Sequence, residues 1–468
     1  MSRVSAWRGV RWLRSLPPVG RDAVLYGCST GFALVTALVV SIPLYRQWGQ
    51  LAVVPYAVGT LIVTFLWWGR SGRAGSPQVL RAGRIAALLI VLFGATVMPL
   101  TLEVVWRSEG QPALHTQPEV VVVERAGSLA ATGHDPYRLI DRHGHILIHQ
   151  DALPVYELYY PYLPGMAVFG LVSGTGVPEA LADARIEFLL FTAGVSLAAL
   201  WWLGTSGDAR TRVVQALLVL PSGALPLATG GDDLPVAAMM LLGLVALQRR
   251  RPFWAGLALG VASSFKFTAW PLALFALVAA GGVADRAVRA RLTYLAGVLV
   301  VVVPTVVPFA LHNPAAFVDN VVRFPLGLAG VASPAASALP GHEFVAFFPQ
   351  LHQAYVVALV LMGGAALLWR LVKRPPRTPA QLAWLTGWVM LIAILLAPAT
   401  RVGYLLYPIN LFLWTWLLGR SSSPATSGGG PGSSTGPAQF WSGSWKSSSE
   451  NGVSPDDRVG LVTRPTSQ

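Results

Sequence analysis

Ile85-Ala-Ala-Leu-Leu-Ile-Val-Leu-Phe-Gly-Ala-Thr-Val-Met-Pro-Leu-Thr-Leu-Glu-Val-Val-Trp106 is a run of 22 residues with a single charged side chain, Glu103. About 20 apolar residues are needed to cross the hydrocarbon core of a bilayer as a helix, so this run reads as a membrane span. Two more candidate spans, 23–45 and 51–69, precede it. After it come apolar segments at 161–177, 186–204, 213–228, 233–248, 253–264, 269–281, 293–311, 354–372, 381–397 and 403–418. Of the 468 residues, 54% are hydrophobic and only 12% are charged, against about 25% charged in a soluble domain. The expected fold is all-α: a polytopic membrane protein whose bundle holds about 11–13 transmembrane helices. Several segments fall short of a full span, and such helices must be sheltered by others or line a cavity.

The net charge of +13 sits in short stretches between spans. Arg3, Arg8, Arg11, Arg14 and Arg21 precede the first; Arg70, Arg73, Arg81 and Arg84 follow the second. Further clusters are Arg249 to Arg251, Arg286 to Arg291, and Arg370 to Arg377. This is the pattern of cytoplasmic loops, and it argues against nucleic acid as the partner. Counting crossings from an inside N-terminus places the stretches 107–160 and 312–353 outside. The count fails to close over 161–177, 186–204 and 213–228, where one segment too many is present. The single cysteine, Cys28, excludes an intramolecular disulfide. The basic N-terminus lacks a small-residue cleavage site, so the first span is expected to be retained.

The stretch 107–160 reads as a long polar loop, and it holds several candidates. Glu119 has the chemistry of a general base for an acceptor hydroxyl; a solvated loop charge is the simpler reading. In Gly133-His-Asp-Pro-Tyr137, Asp135 and Tyr137 read as sugar-binding groups or as a turn. The aromatic run Tyr156-Glu-Leu-Tyr-Tyr-Pro-Tyr162 adds Tyr160. His143, His145 and His149 lack a zinc-type ligand pattern.

Other candidates lie in the bundle. Lys266, one of three lysines against 31 arginines, sits in Ala262-Ser-Ser-Phe-Lys-Phe-Thr-Ala-Trp-Pro271 between two short apolar segments. An ionisable group at membrane depth points to function, here the holding of a phosphate; snorkelling is the alternative. Asp232 and Asp233, in Gly230-Gly-Asp-Asp-Leu-Pro235, open an apolar segment and suit either sugar hydroxyls or a helix cap. Arg401 and Tyr404, in Ala397-Pro-Ala-Thr-Arg-Val-Gly-Tyr404, put an isolated cation at the far end of a span. Its partner is a phosphate or a protein carboxylate.

Together these stretches resemble the GT-C membrane glycosyltransferases, and most nearly the actinobacterial glycosyltransferase 87 group. The likeness rests on Glu119 to Tyr137, on Tyr159-Tyr-Pro161, on Ala255-Gly-Leu with Lys266 and Pro271, and on Pro398 to Tyr404. It departs from the group at Glu119, where Asp is usual, and at Val123, where Tyr is usual. The resemblance implies a polyprenyl-phosphate-linked sugar donor, mannose or arabinose, and a lipid or glycan acceptor of the cell envelope. It implies Glu119 as base and Lys266 with Arg401 on the donor phosphate, in contact with membrane lipids and on the outer face of the plasma membrane. No cofactor and no metal are expected, and no nucleotide-cradling Gly loop is present. The rival readings are a flippase for a lipid-linked sugar and a non-catalytic envelope-assembly subunit.

The expected organisation is a basic cytoplasmic segment 1–22, an added hairpin 23–84, a core 85–418 and a disordered cytoplasmic tail 419–468 rich in Ser, Gly and Pro.

Overall fold

Proline opens several of the long helices. At the first helical turn its missing N–H costs nothing and its fixed φ favours the helix. Thus α1 is Pro18–Val39, α2 is Pro43–Trp68 and α3 is Pro77–Glu109. Ser76 caps α3 by accepting from the Val79 N–H. A computed structural model describes residues 15–69, 76–110, 112–137, 154–205, 207–282, 286–331 and 333–421.

Two short helices follow, α4 (Pro112–His115) and α5 (Pro118–Ala131). Next comes an eleven-residue 3-10 helix, Pro164–Gly174. Then come α6 (Ala184–Leu203), α7 (Gly207–Thr229), α8 (Asp233–Gln248), α9 (Pro252–Phe265) and α10 (Trp270–Ala280). The last third comprises α11 (Ala287–His312), α12 (Pro314–Val318), α13 (Pro340–Phe347), α14 (His352–Lys373), α15 (Pro379–Leu396) and α16 (Leu406–Ser421). Among the described residues nine helices are long and apolar enough to cross a membrane, and four shorter apolar ones accompany them. There is no strand among these residues, only one bridge between Ala336 and Thr400. The all-α polytopic fold is therefore what the apolar runs announced.

Two helices loosen by one residue at matching points. α3 has a π turn at Phe93–Val97, and α7 has one at Gln215–Val219. Such a turn frees backbone carbonyls, and in hydrocarbon an unsatisfied polar group costs several kcal/mol. Here the Thr96 hydroxyl donates to the Leu218 carbonyl (2.6 Å) and the Tyr56 hydroxyl to the Val219 carbonyl (2.6 Å). The Trp48 indole likewise donates to the Ala95 carbonyl (2.9 Å). These bonds tie the hairpin α1–α2 to α3 and α7.

α9 lies against α11 through Gly256 and Gly260, spaced as small residues are where membrane helices approach closely. A Cβ on Gly256 would meet the Tyr294 carbonyl oxygen at 2.0 Å. This contact fixes the helix at whose end Lys266 stands.

The stretch 107–160 is not the loop its polarity suggests. α3 runs on to Glu109, and α5 occupies Pro118–Ala131. The Val120–Val123 run is β-branched and reads poorly as helix, but burial of Val120, Val122, Val123, Ala126 and Gly127 outweighs that preference. Residues 138–153, with the three histidines, lie outside the described residues. The stretch 312–353 is similarly part helical, with α12 and α13 inside it. Of the three segments that could not all be spans, 161–177 is the short one. Its Pro164–Gly174 helix packs on α5, while the other two are full length. The proposed boundary at residue 22 falls inside α1, and α16 runs past 418; residues 422–468 lie outside the described residues.

Candidate active site

Interruptions of the helical path bring ionisable side chains to one place. Asp232 precedes α8, and Asp233 lies in its first turn. α9 stops at Phe265, and Lys266 leaves it extended, with φ −146° and ψ 149°. Glu119 lies in the first turn of α5, where the positive end of the helix dipole favours a carboxylate. Arg401 is extended, with φ −127° and ψ 141°, just ahead of the 3-10 turn Val402–Leu405.

These four interruptions border one cavity of about 950 Å³. Lys266 Nζ lies 2.6 Å from Asp232 Oδ1 and 2.6 Å from Asp233 Oδ1. An ammonium has three donors, so one remains for the cavity that Lys266 lines. The Tyr162 ring centroid is 4.9 Å from the ammonium and that of Tyr404 is 5.8 Å away. Tyr407 donates its hydroxyl to Asp233 Oδ1 at 2.8 Å. Lys266, Asp232 and Asp233 are all buried, and a buried charge needs such pairing. On the facing wall Arg401 is ion-paired with Glu119 Oε1. Glu119 Oε2 and Asp232 Oδ2 are buried with no hydrogen-bond partner. Three carboxylates thus share two cations.

The backbone around Glu119 is held from two sides. The Gln117 N–H donates to the Thr229 carbonyl (3.0 Å), and its amide nitrogen donates to Thr229 Oγ1 (2.7 Å) and Tyr45 Oη (3.1 Å). Gly230 follows Thr229 with φ +118°, a region that suits glycine. A Cβ there would also sit 2.3 Å from Val120 Cγ2. Behind α5, Arg107 makes a two-pronged bond to Glu124 (2.9 and 2.6 Å) and reaches Asp183 (2.7 Å). Asp183 in turn holds Arg185. Burial alone would raise the Asp183 carboxyl, but the Arg185 and Arg107 guanidiniums outweigh it and keep it below the usual carboxylate range. At the cavity wall, burial pushes the Tyr156 phenol up, with the Glu157 and Glu119 carboxylates adding to it.

Of the residues singled out in the sequence, Glu119, Asp232, Asp233, Lys266, Arg401 and Tyr404 share this cavity. Asp135, Tyr137 and Tyr160 do not line it. Asp135 Oδ1 accepts from the Tyr137 N–H (3.0 Å), as in a side-chain turn. The buried Tyr137 donates to the Tyr162 carbonyl (2.7 Å), and the Tyr160 N–H donates to Asn320 Oδ1 (2.7 Å). Tyr137 thus holds the Tyr162 backbone, and the Tyr160 ring packs edge-on against that of Tyr162, with centroids 5.5 Å apart. Tyr45, Gln117, Tyr156 and Tyr162 are on the cavity, although sequence reasoning gave them no role. Tyr156 and Tyr162 bound the aromatic run visible in the sequence, and Tyr407, which holds Asp233 from behind, lies three residues beyond Tyr404.

The lining also carries apolar side chains, among them Phe32, Val40, Ile42, Leu225 and Ile409. Among the described residues no group of three or more His, Cys, Asp or Glu side chains is arranged to hold a metal ion. The arrangement suits an amphiphile with an anionic group: cations for the anion, free carboxylate oxygens for hydroxyls, and an apolar wall for a hydrocarbon chain.

The family model described as glycosyltransferase family 87 matches residues 160–398. No curated protein and no solved structure matches the chain. The matched stretch contains Asp232, Asp233 and Lys266, while Glu119 and Arg401 lie to either side of it. It covers just over half of the sequence, and the chain belongs to glycosyltransferase family 87.

Proposed function

We propose that the protein moves a sugar, mannose or arabinose, from a polyprenyl-phosphate donor to a lipid or glycan acceptor of the cell envelope. The reaction runs at the outer face of the plasma membrane in a GT-C-type bundle. The observation that carries this reading is the single cavity in which Lys266 and Arg401 stand beside Glu119 and an apolar wall.

In the proposed mechanism the donor phosphate takes the remaining donor of Lys266 and draws Arg401 away from Glu119. Asp232 and Asp233 keep the ammonium in place, and the unpartnered Asp232 oxygen accepts from a sugar hydroxyl. Tyr404 and Tyr162 flank the same ammonium. The acceptor hydroxyl attacks the anomeric carbon and passes its proton to Glu119. The bond from that carbon to the phosphate oxygen breaks, and its electron pair leaves with the lipid phosphate. The two cations stabilise the charge that grows on that oxygen. The outcome is inversion at the anomeric carbon, and no nucleotide takes part.

The test is transfer of a labelled sugar from a polyprenyl phosphate in membranes carrying the wild type or Glu119→Gln. A fall of about 10²–10⁴ fold is expected on loss of a general base. Unchanged transfer removes Glu119 from the mechanism. Absence of transfer by the wild type from any lipid donor favours a flippase or an assembly subunit.

A further inference from the structure

A second cavity, of about 390 Å³, opens beside the first. It is lined by Gln47, Trp106, Glu109, Gly110 and His115. The two cavities share their walls. Pro43, Leu44 and Tyr45 face the large one, and Gln47 faces the small one. On the other wall Leu114, Thr116 and Gln117 face the large cavity, and His115 faces the small one. The volume is within the range of small-molecule sites, about 300–1,000 Å³.

The lining is built from beneath. Glu103, wholly buried, sets its Oε2 2.8 Å from His115 Nδ1. That contact fixes the imidazole plane and leaves Nε2 for a ligand. The other Glu103 oxygen is buried without a partner, as is Gln47 Oε1. The half-buried Trp106 ring stands 5.6 Å from the His115 ring. A Trp at the end of a span is ordinary at a membrane interface. Interfacial anchoring does not explain why buried, unpartnered Glu and Gln oxygens gather next to it. A flat apolar platform edged with hydrogen-bonding groups matches one ligand chemistry well, a sugar ring with its apolar face and its rim of hydroxyls.

We propose that this small cavity is a sugar subsite for the acceptor glycan, next to the point of transfer. Trp106 carries the ring face, while Gln47, Glu109 and His115 take hydroxyls. That the sugar belongs to the acceptor rests on the transfer reading above; that a sugar binds does not. The residues that build the subsite lie outside the stretch 160–398 matched by the family.

Two measurements on the full chain in detergent test it. The first is saturation-transfer NMR with methyl α-mannoside, methyl α-glucoside and methyl α-arabinofuranoside at millimolar concentration. At least one should show transfer from the wild type and from Glu119→Gln, lose it with Trp106→Ala, and keep it with Trp106→Tyr. Silence from all three sugars, or an undiminished signal with Trp106→Ala, overturns the subsite. The second is the transfer assay, in which Trp106→Ala should raise the acceptor KM at least tenfold and leave the donor KM unchanged. A rise in the donor KM instead overturns the assignment to the acceptor. A wild type that transfers nothing overturns the transfer reading alone, and the NMR measurement still decides whether sugar binds.

Discussion

Glu119 is ion-paired with Arg401, a residue 282 positions further along the chain. The pair joins the first turn of α5 to the approach of α16, and it occupies the carboxylate that the proposed mechanism needs free. A donor phosphate competing for Arg401 would release the base only when the donor is present. Arg401→Gln is therefore expected to raise the donor KM and lower kcat together, the kcat effect being about 10²–10³ fold, as for loss of a preorganised charge contact. Arg401→Lys should recover part of the binding but less of kcat, because an ammonium is a point charge without the guanidinium's planar fork of donors. Steady-state transfer kinetics over a range of donor concentrations distinguish the two. A change confined to KM would make Arg401 a binding group only.

The lysine between Asp232 and Asp233 should matter to folding as well as to transfer. Lys266→Met leaves two buried carboxylates beside each other, and breaking a buried pair from one side costs about 3–5 kcal/mol. Thermal unfolding in detergent should show a large loss. Adding Asp232→Asn and Asp233→Asn to Lys266→Met removes the stranded charge, and stability should return while transfer does not. Recovery of transfer in the triple variant would show that the cluster is purely structural.

Gly230 can be tested apart from the chemistry. Gly230→Ala places a Cβ against Val120 at a backbone angle that disfavours it. The strain and overpacking should cost about 1–3 kcal/mol each. Val120→Ala in the same chain should restore only the packing share, since φ stays positive. A melting temperature unmoved by Gly230→Ala would contradict the close approach of α5 to the end of α7.

Acid should weaken the support behind α5 in a predictable direction. The Asp183 carboxyl is held below its ordinary range in the folded chain. Its contribution is therefore present above the unfolded value, about 3.9, and is lost as pH falls through the lower, folded value. Asp183→Asn should lower stability at neutral pH and flatten the acid limb of the stability curve. Identical acid limbs for wild type and variant would show that Asp183 makes no such contribution.

Much of the architecture is legible in the sequence, because a bilayer demands long apolar runs. The segment 233–248 coincides with α8, and 253–264 with 269–281 frames the break at Lys266. The reading fails where burial contends with local preference. α5 hides behind a β-branched run and a cluster of charges, both of which suggest a loop. The shortfall at 161–177 shows in the failure of the crossings to balance, yet only the tight 3-10 coil of Pro164–Gly174 identifies the short member. At the cavity, single charges in apolar surroundings stand out, which is how Lys266 and Arg401 are found. Their partners do not, since no local pattern links Glu119 to Arg401 or Tyr45 to Gln117. Aromatic residues mislead in the same way: Tyr137 and Tyr160 have the composition of a binding surface, but their neighbours in three dimensions make them supports for Tyr162.

The hairpin α1–α2 carries one further consequence. Val40 to Tyr45 close a side of the large cavity, Gln47 faces the small one, and none of these residues lies within the family's shared stretch. The hairpin joins the rest of the bundle through hydroxyl and indole hydrogen bonds and through the buried pairs of Asp22 with Arg84 and Arg212. Exchanging that hairpin for one of different shape, with Asp22, Tyr45, Trp48 and Tyr56 retained as its fastenings, offers a route to chimeric transferases. These would keep the donor chemistry and accept a different glycan.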